Sequence, residues 1–277
     1  MRNFAVFGNP IKHSYSPKMH QLFAEQCHLS EFNYVKTLVE IDDFEHSVQS
    51  FFAQGGTGLN ITVPFKLKAF ELAQELTPRA KAAGAVNTLW QQDGKLYGDN
   101  TDGIGLVNDI RRLGIDLTGS RILLIGAGGA SRGAILPLIE TKCSALHIAN
   151  RTEAKAAALI ETFKDDTTIP LSASGLSAIT GQWDIIINAS ASSLTDDELA
   201  IPSALFASAK LAYDMLYCAD GQTAFVKQAK KYDTPLCVDG LGMLVYQGAE
   251  AFRIWNKVSP NPEEVLAILR KDLQCQG

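Results

Sequence analysis

A chain of 277 residues, 46% hydrophobic and 20% charged, can bury a sizeable core, and its length suits one large domain or two modest ones. A net charge of −5 gives no electrostatic reason to expect nucleic acid or an anionic membrane as a partner, and no apolar run reaches the roughly 18–20 residues of a membrane span. Five cysteines (Cys27, Cys143, Cys218, Cys237, Cys275) form no C-x-x-C pair and five histidines no H-E-x-x-H, which predicts free thiols in a reducing cytoplasm and no metal site.

The opening MRNFAVFGNP reaches a strand-like run at once and lacks the long apolar region of a signal peptide. Apolar, β-rich runs predict strands over 4–7, 34–38, 58–62 and 85–90, with 96–97 returning through the turn QQDGK. Amphipathic patterns predict helices over 17–27, 43–54, 65–75 and 102–113. A second series follows: strand 121–125, helix 129–140, strand 145–149, helix 153–163, and strands 185–188, 211–215 and 236–238. Two long helical patterns, 241–255 and 262–273, close the chain. The alternation predicts an α/β protein of two domains with a cleft between them. Residues 1–101, joined by the C-terminal helices 241–277, form one α/β domain; residues 102–240 form a Rossmann-like, doubly wound parallel sheet.

Within GNPIKHSYSPKMH, Ser14 and Ser16 precede Pro17, a residue suited to a first helical turn. Two hydroxyls beside free helix amides can bind a small carboxylate, or one of them can simply cap the helix. NITVPFK places Lys66 at or near a helix start, where the positive helix end disfavours a cation, so the lysine is either exposed or held for a purpose. GAVNT sets Asn87 at a strand. GDNTDG packs Asp99, Asn100, Thr101 and Asp102 between two glycines, which by itself reads as a turn with an Asp cap.

The stretch ILLIGAGGASRG is a strand that breaks into a glycine turn and a helix. Gly126 and Gly128 suit a tight turn that lets backbone amides approach a pyrophosphate, and Gly129 opens a helix whose amino end favours the anion. Ser131 stands where the dinucleotide fingerprint usually has its third glycine. At the end of the next strand, where an NAD site carries Asp or Glu, ANRTEAK offers Asn150, Arg151, Thr152 and Lys155 instead. A guanidinium is the right partner for a 2′-phosphate, so the cofactor expected is NADP. The alternative is that Asn150 and Thr152 cap a helix and Arg151 is solvated.

Together GNPIKHSYSP, NITVPFK, GAVNT, GDNTDG, GAGGASRG, NRT and DGLGMLVYQ resemble the shikimate dehydrogenase family, in the family's order and nearly from end to end. The resemblance implies an NADP-dependent oxidoreductase acting on a CH-OH group. Its reaction would be the reversible reduction of 3-dehydroshikimate to shikimate, towards chorismate and the aromatic amino acids. The partner expected is thus a small-molecule substrate, with no nucleic acid or membrane, in a monomer or homodimer. By the same resemblance Ser14 and Ser16 hold the substrate carboxylate, while Thr62, Lys66, Asn87, Asp102 and Gln247 contact ring hydroxyls and Tyr217 lines the pocket. Lys66 and Asp102 are the implied catalytic pair. Gly126, Ala127, Gly128, Gly129 and Ala130 take the pyrophosphate, Asn150, Arg151, Thr152 and Lys155 the 2′-phosphate end, and Met215 and Gly240 the nicotinamide end. There are three departures from the family pattern: Ser190–Ala191 for Thr-Ser, Pro78 for an acidic residue, and Tyr15 for a lysine. Two other readings stay open, a broader quinate/shikimate dehydrogenase and a non-catalytic NADP-sensing regulator, which would have no need of Lys66 and Asp102. A methylene-tetrahydrofolate dehydrogenase of similar shape would leave the serine pair unexplained.

Overall fold

The computed structural model describes residues 1–190, 192 and 198–276. The chain divides into two compact units, one of Met1–Gly105 with Val245–Leu269, the other of Leu106–Leu244 with the chain from Arg270 on.

The first unit begins with β1 (Arg2–Gly8), α1 (Ser16–Gln26), β2 (Phe32–Leu38), α2 (Phe44–Ala53) and β3 (Gly56–Ile61). It continues through α3 (Lys66–Leu72), β4 (Glu75–Leu76), α4 (Pro78–Ala83), β5 (Thr88–Gln92) and β6 (Lys95–Asp99). The strands form one mixed sheet in the order β2-β1-β3-β5-β6-β4. Strand β1 explains why both faces of this sheet are covered. Ala5 and Phe7 join a core with Phe44, Phe52 and Phe65, while the alternate residues Phe4 and Val6 join a second with Ile11 and Tyr34. The hairpin of β5 and β6 turns on Asp93 and Gly94, whose φ values of 52° and 76° are those a two-residue D-G turn requires.

One expected element is corrected here. The helix read over 65–75 stops at Leu72, because Ala73 is extended and Gln74 donates its N–H to the Leu96 carbonyl (2.8 Å), drawing the chain into the sheet as β4. A new helix, α4, then starts where Thr77 Oγ1 accepts the Ala80 N–H at 3.2 Å and Pro78 occupies the first turn. Helix α4 lies beyond the predicted 65–75 and was not read, although Thr77-Pro78 is a start signal for it.

Helix α5 (Asp102–Arg112) leads on to the second unit: β7 (Arg121–Ile125), α6 (Gly129–Glu140), β8 (Ala145–Asn150), α7 (Glu153–Phe163), β9 (Leu171–Gly175) and β10 (Ile185–Asn188). Next come α8 (Ala204–Ser208), β11 (Leu211–Asp214), α9 (Ala224–Lys231) and β12 (Leu236–Val238), then α10 (Leu241–Asn256) and α11 (Pro262–Gln276). Helices α5, α10 and α11 each carry residues of both units. The second sheet is parallel throughout, in the order β12-β11-β10-β7-β8-β9. This is the doubly wound order, with its reversal between β7 and β10. Its central strands read as unbroken apolar runs (ILLI, III) because both faces are buried. Strand β9 and the short helices α8 and α9 were not legible in the sequence: LSASG, an edge strand, has no apolar alternation to mark it.

Candidate active site

The polar cluster of the first unit is built on the ends of β3, β5 and β6. Phe65, wholly buried and stacked on Phe44 at 4.6 Å, anchors the start of α3 and makes Lys66 the first helical residue. That first turn holds no acidic residue, so the helix end offers an ammonium nothing. Asp102 supplies the partner from 36 residues away: its Oδ2 stands 2.5 Å from Lys66 Nζ. Asp102 opens α5, and its own N–H donates to Asn100 Oδ1 (3.1 Å). The Asn100 amide in turn donates to the Ala85 carbonyl (3.2 Å), tying the GDNTDG turn to the sheet.

Asn87 has one possible amide orientation. Its Oδ1 accepts the Thr101 N–H (2.9 Å) and the Thr88 hydroxyl (2.8 Å). Its Nδ2 is left to donate to Asp102 Oδ1 (2.9 Å), Thr101 Oγ1 (3.0 Å) and Gln247 Oε1 (3.3 Å). Gln247 comes this close because residue 105 is glycine: a Cβ there would lie 2.7 Å from both the Cβ and the N of Gln247. Lys66, Asn87, Asp102 and Gln247 therefore form one hydrogen-bonded group. The Lys66 side chain is 31% exposed and that of Asp102 13%, so the pair is held by protein yet open to a ligand.

The serine pair adjoins this group through a buried relay. Tyr15, not a serine, is the N-cap of α1 and makes no side-chain capping bond, whereas Ser14 Oγ accepts the Ser16 N–H at 3.3 Å. Ser16 also pairs with the Tyr34 hydroxyl, and burial pushes that phenol well above its usual range, so it stays protonated. Tyr34 donates to Asn60 Oδ1 (2.7 Å), and Asn60 Nδ2 donates to the Asn87 carbonyl (3.1 Å) and Thr88 Oγ1 (3.3 Å). Thr62 follows β3, its N–H bonded to the Phe7 carbonyl (2.9 Å). Its methyl would stand 2.5 Å from any Cβ on Gly8.

The second unit carries the cofactor candidates, and Tyr217 with them. Gly126 has φ 116°, and a Cβ there would lie 3.0 Å from the Ala189 carbonyl carbon, so the turn between β7 and α6 requires glycine. Gly128 and Gly129 differ: a Cβ at either would meet nothing within 4 Å. Among the described residues, packing does not demand these two glycines. No side chain caps α6, which leaves its first-turn amides for an anion. Ser131, in the place of the third glycine, is fully buried, and its hydroxyl has no partner among the described residues, so it belongs to the helix packing.

After β8, Arg151 and Lys155 are exposed and have no ion pair among the described residues. Asn150 Nδ2 donates to the Thr152 carbonyl (2.9 Å), and Thr152 is the N-cap of α7 without a side-chain capping bond. The polar side chains that a purely structural cap would use are thus not used as caps. Two unpaired cations beside open helix amides fit a phosphate-rich dinucleotide.

At the other end, Met215 donates its N–H to the Asn188 carbonyl (2.9 Å) and Gly240 its N–H to the Leu216 carbonyl (2.8 Å). A Cβ on Gly240 would fall 2.2 Å from the Met215 oxygen. Asn188 Nδ2 donates to Asp214 Oδ1 (3.1 Å), and Thr223 Oγ1 to Asp214 Oδ2 (2.6 Å). Ser190 donates to Asn188 Oδ1 (2.6 Å); the adjoining departure at Ala191 lies outside the described residues. Pro78 starts α4, and its neighbour Arg79 pairs with the buried Asp99 and with Glu250. Sequence reasoning missed Tyr34, Asn60, Asn188 and Asp214. The last two did leave a signal, since each is a polar residue ending an apolar strand.

Three family models match the chain: shikimate dehydrogenase substrate binding domain over residues 6–89, shikimate/quinate 5-dehydrogenase over 109–198, and shikimate 5′-dehydrogenase C-terminal domain over 240–270. A shikimate dehydrogenase (NADP(+)) of Bordetella avium is 49% identical over 280 residues, spanning 100% of this chain and 98% of that protein. Among solved structures, an Ael1 enzyme from Pseudomonas putida superposes with a TM-score of 0.91 at 43% identity, covering 97% of this chain and 98% of that one. Shikimate 5-dehydrogenase from Thermus thermophilus, in complex with NADP(H) and shikimate, superposes with a TM-score of 0.84 at 30% identity, covering 98% and 99%.

Proposed function

The chain belongs to the shikimate dehydrogenase family, and we propose that it catalyses the reversible, NADPH-dependent reduction of 3-dehydroshikimate to shikimate. The observation that carries this reading is the Lys66–Asp102 pair, partly open and fixed by Asn87. NADPH, when bound, supplies the hydride.

The protein's part is to hold the ring and handle the proton. Lys66 and Asp102 meet the reacting oxygen together: the ammonium stabilises the negative charge that develops there and delivers a proton in the reducing direction. The Asp102 carboxylate accepts from the same substrate hydroxyl and keeps Lys66 in place, so the two act as one unit. Ser14 and Ser16 donate to the substrate carboxylate. Thr62, Asn87 and Gln247 meet the remaining hydroxyls, and Tyr217 lines the pocket. Gly126 to Ala130 receive the pyrophosphate, Asn150, Arg151, Thr152 and Lys155 the 2′-phosphate, and Met215 and Gly240 the nicotinamide.

The chemistry places the protein on the route to chorismate and the aromatic amino acids. No described helix is long and apolar enough to cross a membrane, and the five cysteines are free. We read it as a cytoplasmic monomer or homodimer acting on a small molecule. The test is oxidation of shikimate with NADP by the purified protein, with quinate alongside. Turnover of shikimate supports the reading; turnover of quinate alone would replace it.

A further inference from the structure

We propose that Arg270, on the last helix of the chain, is a positioning residue for the nicotinamide end of the cofactor site, acting through Asp239 and the Cys218 peptide. The inference rests on the cofactor reading above.

The loop after β11 carries Met215 and Tyr217. Its first half is tied by backbone bonds: Met215 N–H to the Asn188 carbonyl (2.9 Å) and Gly240 N–H to the Leu216 carbonyl (2.8 Å). At Cys218 the anchor changes character. Asp239 Oδ2 accepts the Cys218 N–H (3.2 Å), Arg270 Nη1 donates to the Cys218 carbonyl (2.9 Å), and Arg270 Nη2 meets Asp239 Oδ1. One guanidinium–carboxylate pair thus holds both polar groups of the residue next to Tyr217. The loop then turns against the guanidinium at Gly221, where a Cβ would lie 3.3 Å from Nη1.

The same carboxylate belongs to the residue before Gly240, and Gly240 lies so close to the Met215 carbonyl that neither can move alone. The Asp239 side chain is 3% exposed and that of Arg270 26%, so removing the arginine leaves a buried charge unpaired. Asp239 would then turn towards water and carry the Gly240 and Cys218 backbones with it. The planar fork serves two acceptors at once, which a lysine ammonium cannot do in the same geometry.

The test compares binding of NADPH with that of adenosine 2′,5′-bisphosphate, a fragment without the nicotinamide half, in wild type, Arg270→Gln and Arg270→Lys. In Arg270→Gln the NADPH dissociation constant should rise about tenfold, roughly the weight of one charge-assisted contact, while the fragment binds within about twofold of wild type. Arg270→Lys should recover part of the loss. If Arg270→Gln does not fold, a smaller loss confined to NADPH in Arg270→Lys carries the same conclusion. Unchanged NADPH binding in a folded variant overturns the proposal, and so does an equal loss for NADPH and fragment, which would make Arg270 a general support of the unit. Binding needs no turnover. A wild-type protein that binds NADPH but fails to oxidise shikimate would therefore defeat the functional reading and leave this one standing.

Discussion

Lys66 and Asp102 are far apart in the chain, and no local pattern announces that they meet. What the sequence does display is a misfit: a lysine opening a helix that has no acid in its first turn. The 2.5 Å ion pair resolves that misfit by giving the lysine a carboxylate partner. Lys66→Ala should lower kcat by roughly 10²–10⁴-fold with a much smaller change in the shikimate KM, because its work is greatest on the developing charge. Asp102→Asn should also lose rate. The double variant should fall short of the product of the two losses, since each single change already disables the pair. Steady-state kinetics of the three variants decide the matter, and a Lys66→Ala enzyme with near-normal kcat removes lysine from the mechanism. At the serines, Ser14→Ala or Ser16→Ala should raise the shikimate KM by tens-fold, as loss of a hydrogen bond to a charged group implies, while NADP affinity is unchanged. Normal KM in both would leave them as helix-start residues. Tyr34 and Asn60, which join Ser16 to Asn87, were not legible, because one lies in a strand of mixed pattern and the other inside a motif noticed for its neighbours.

At the scale of elements, the glycine turn falls between β7 and α6 as the sequence predicts, but its glycines do different work that only the structure separates. Gly126 and Gly240 are needed by the protein itself, one for its φ of 116° and the other for a 2.2 Å approach to the Met215 oxygen. Gly128 is not: its φ of −92° suits any residue and a Cβ there has open space. Gly240→Ala should therefore lower both thermal stability and NADP affinity. Gly128→Ala should leave the melting temperature within about a degree or two while weakening NADP, because the added methyl stands on the approach proposed for the pyrophosphate. Thermal melts with and without NADP separate the two, and undiminished NADP binding by Gly128→Ala would move the pyrophosphate away from this turn. The parallel sheet was legible from its apolar runs. By contrast, α4, only six residues long, is too short to show a helical period, and Arg270 was invisible as one charge on an amphipathic helix.

Across the whole molecule, the buried group with the largest histidine shift, His20, links stability to pH. His20 is fully buried, stacked on Tyr34 at 4.4 Å with Phe23, Phe252 and Trp255 around it. Neither ring nitrogen has a hydrogen-bond partner among the described residues. Burial lowers its pKa to about 3, opposed only in part by the neighbouring Asn60 side chain. Folded protein thus keeps His20 neutral, while the unfolded chain takes up a proton below about pH 6.5. The stability this contributes is fully present above about pH 6.5 and is lost as the pH falls towards 3, at up to about 1.4 kcal/mol per pH unit. Urea unfolding at pH 7 and pH 5 should show a drop of about 2 kcal/mol from this group, and His20→Phe should remove that part of the slope. An unchanged slope in the variant would mean that His20 already takes a proton in the folded state.

The NADP preference and the reaction on shikimate are read in one assay. Arg151 and Lys155 are exposed and have no ion pair among the described residues, and the two charge-assisted contacts proposed for them correspond to a preference of roughly 10²–10⁴-fold, drawn towards the lower end by their exposure. The most direct measurement is the absorbance of the reduced nicotinamide formed when the purified protein is given shikimate with NADP, and in parallel with NAD. NADPH should accumulate, at least about a hundredfold more efficiently than NADH. No reduced cofactor from either, or equal rates from both, would contradict the assignment.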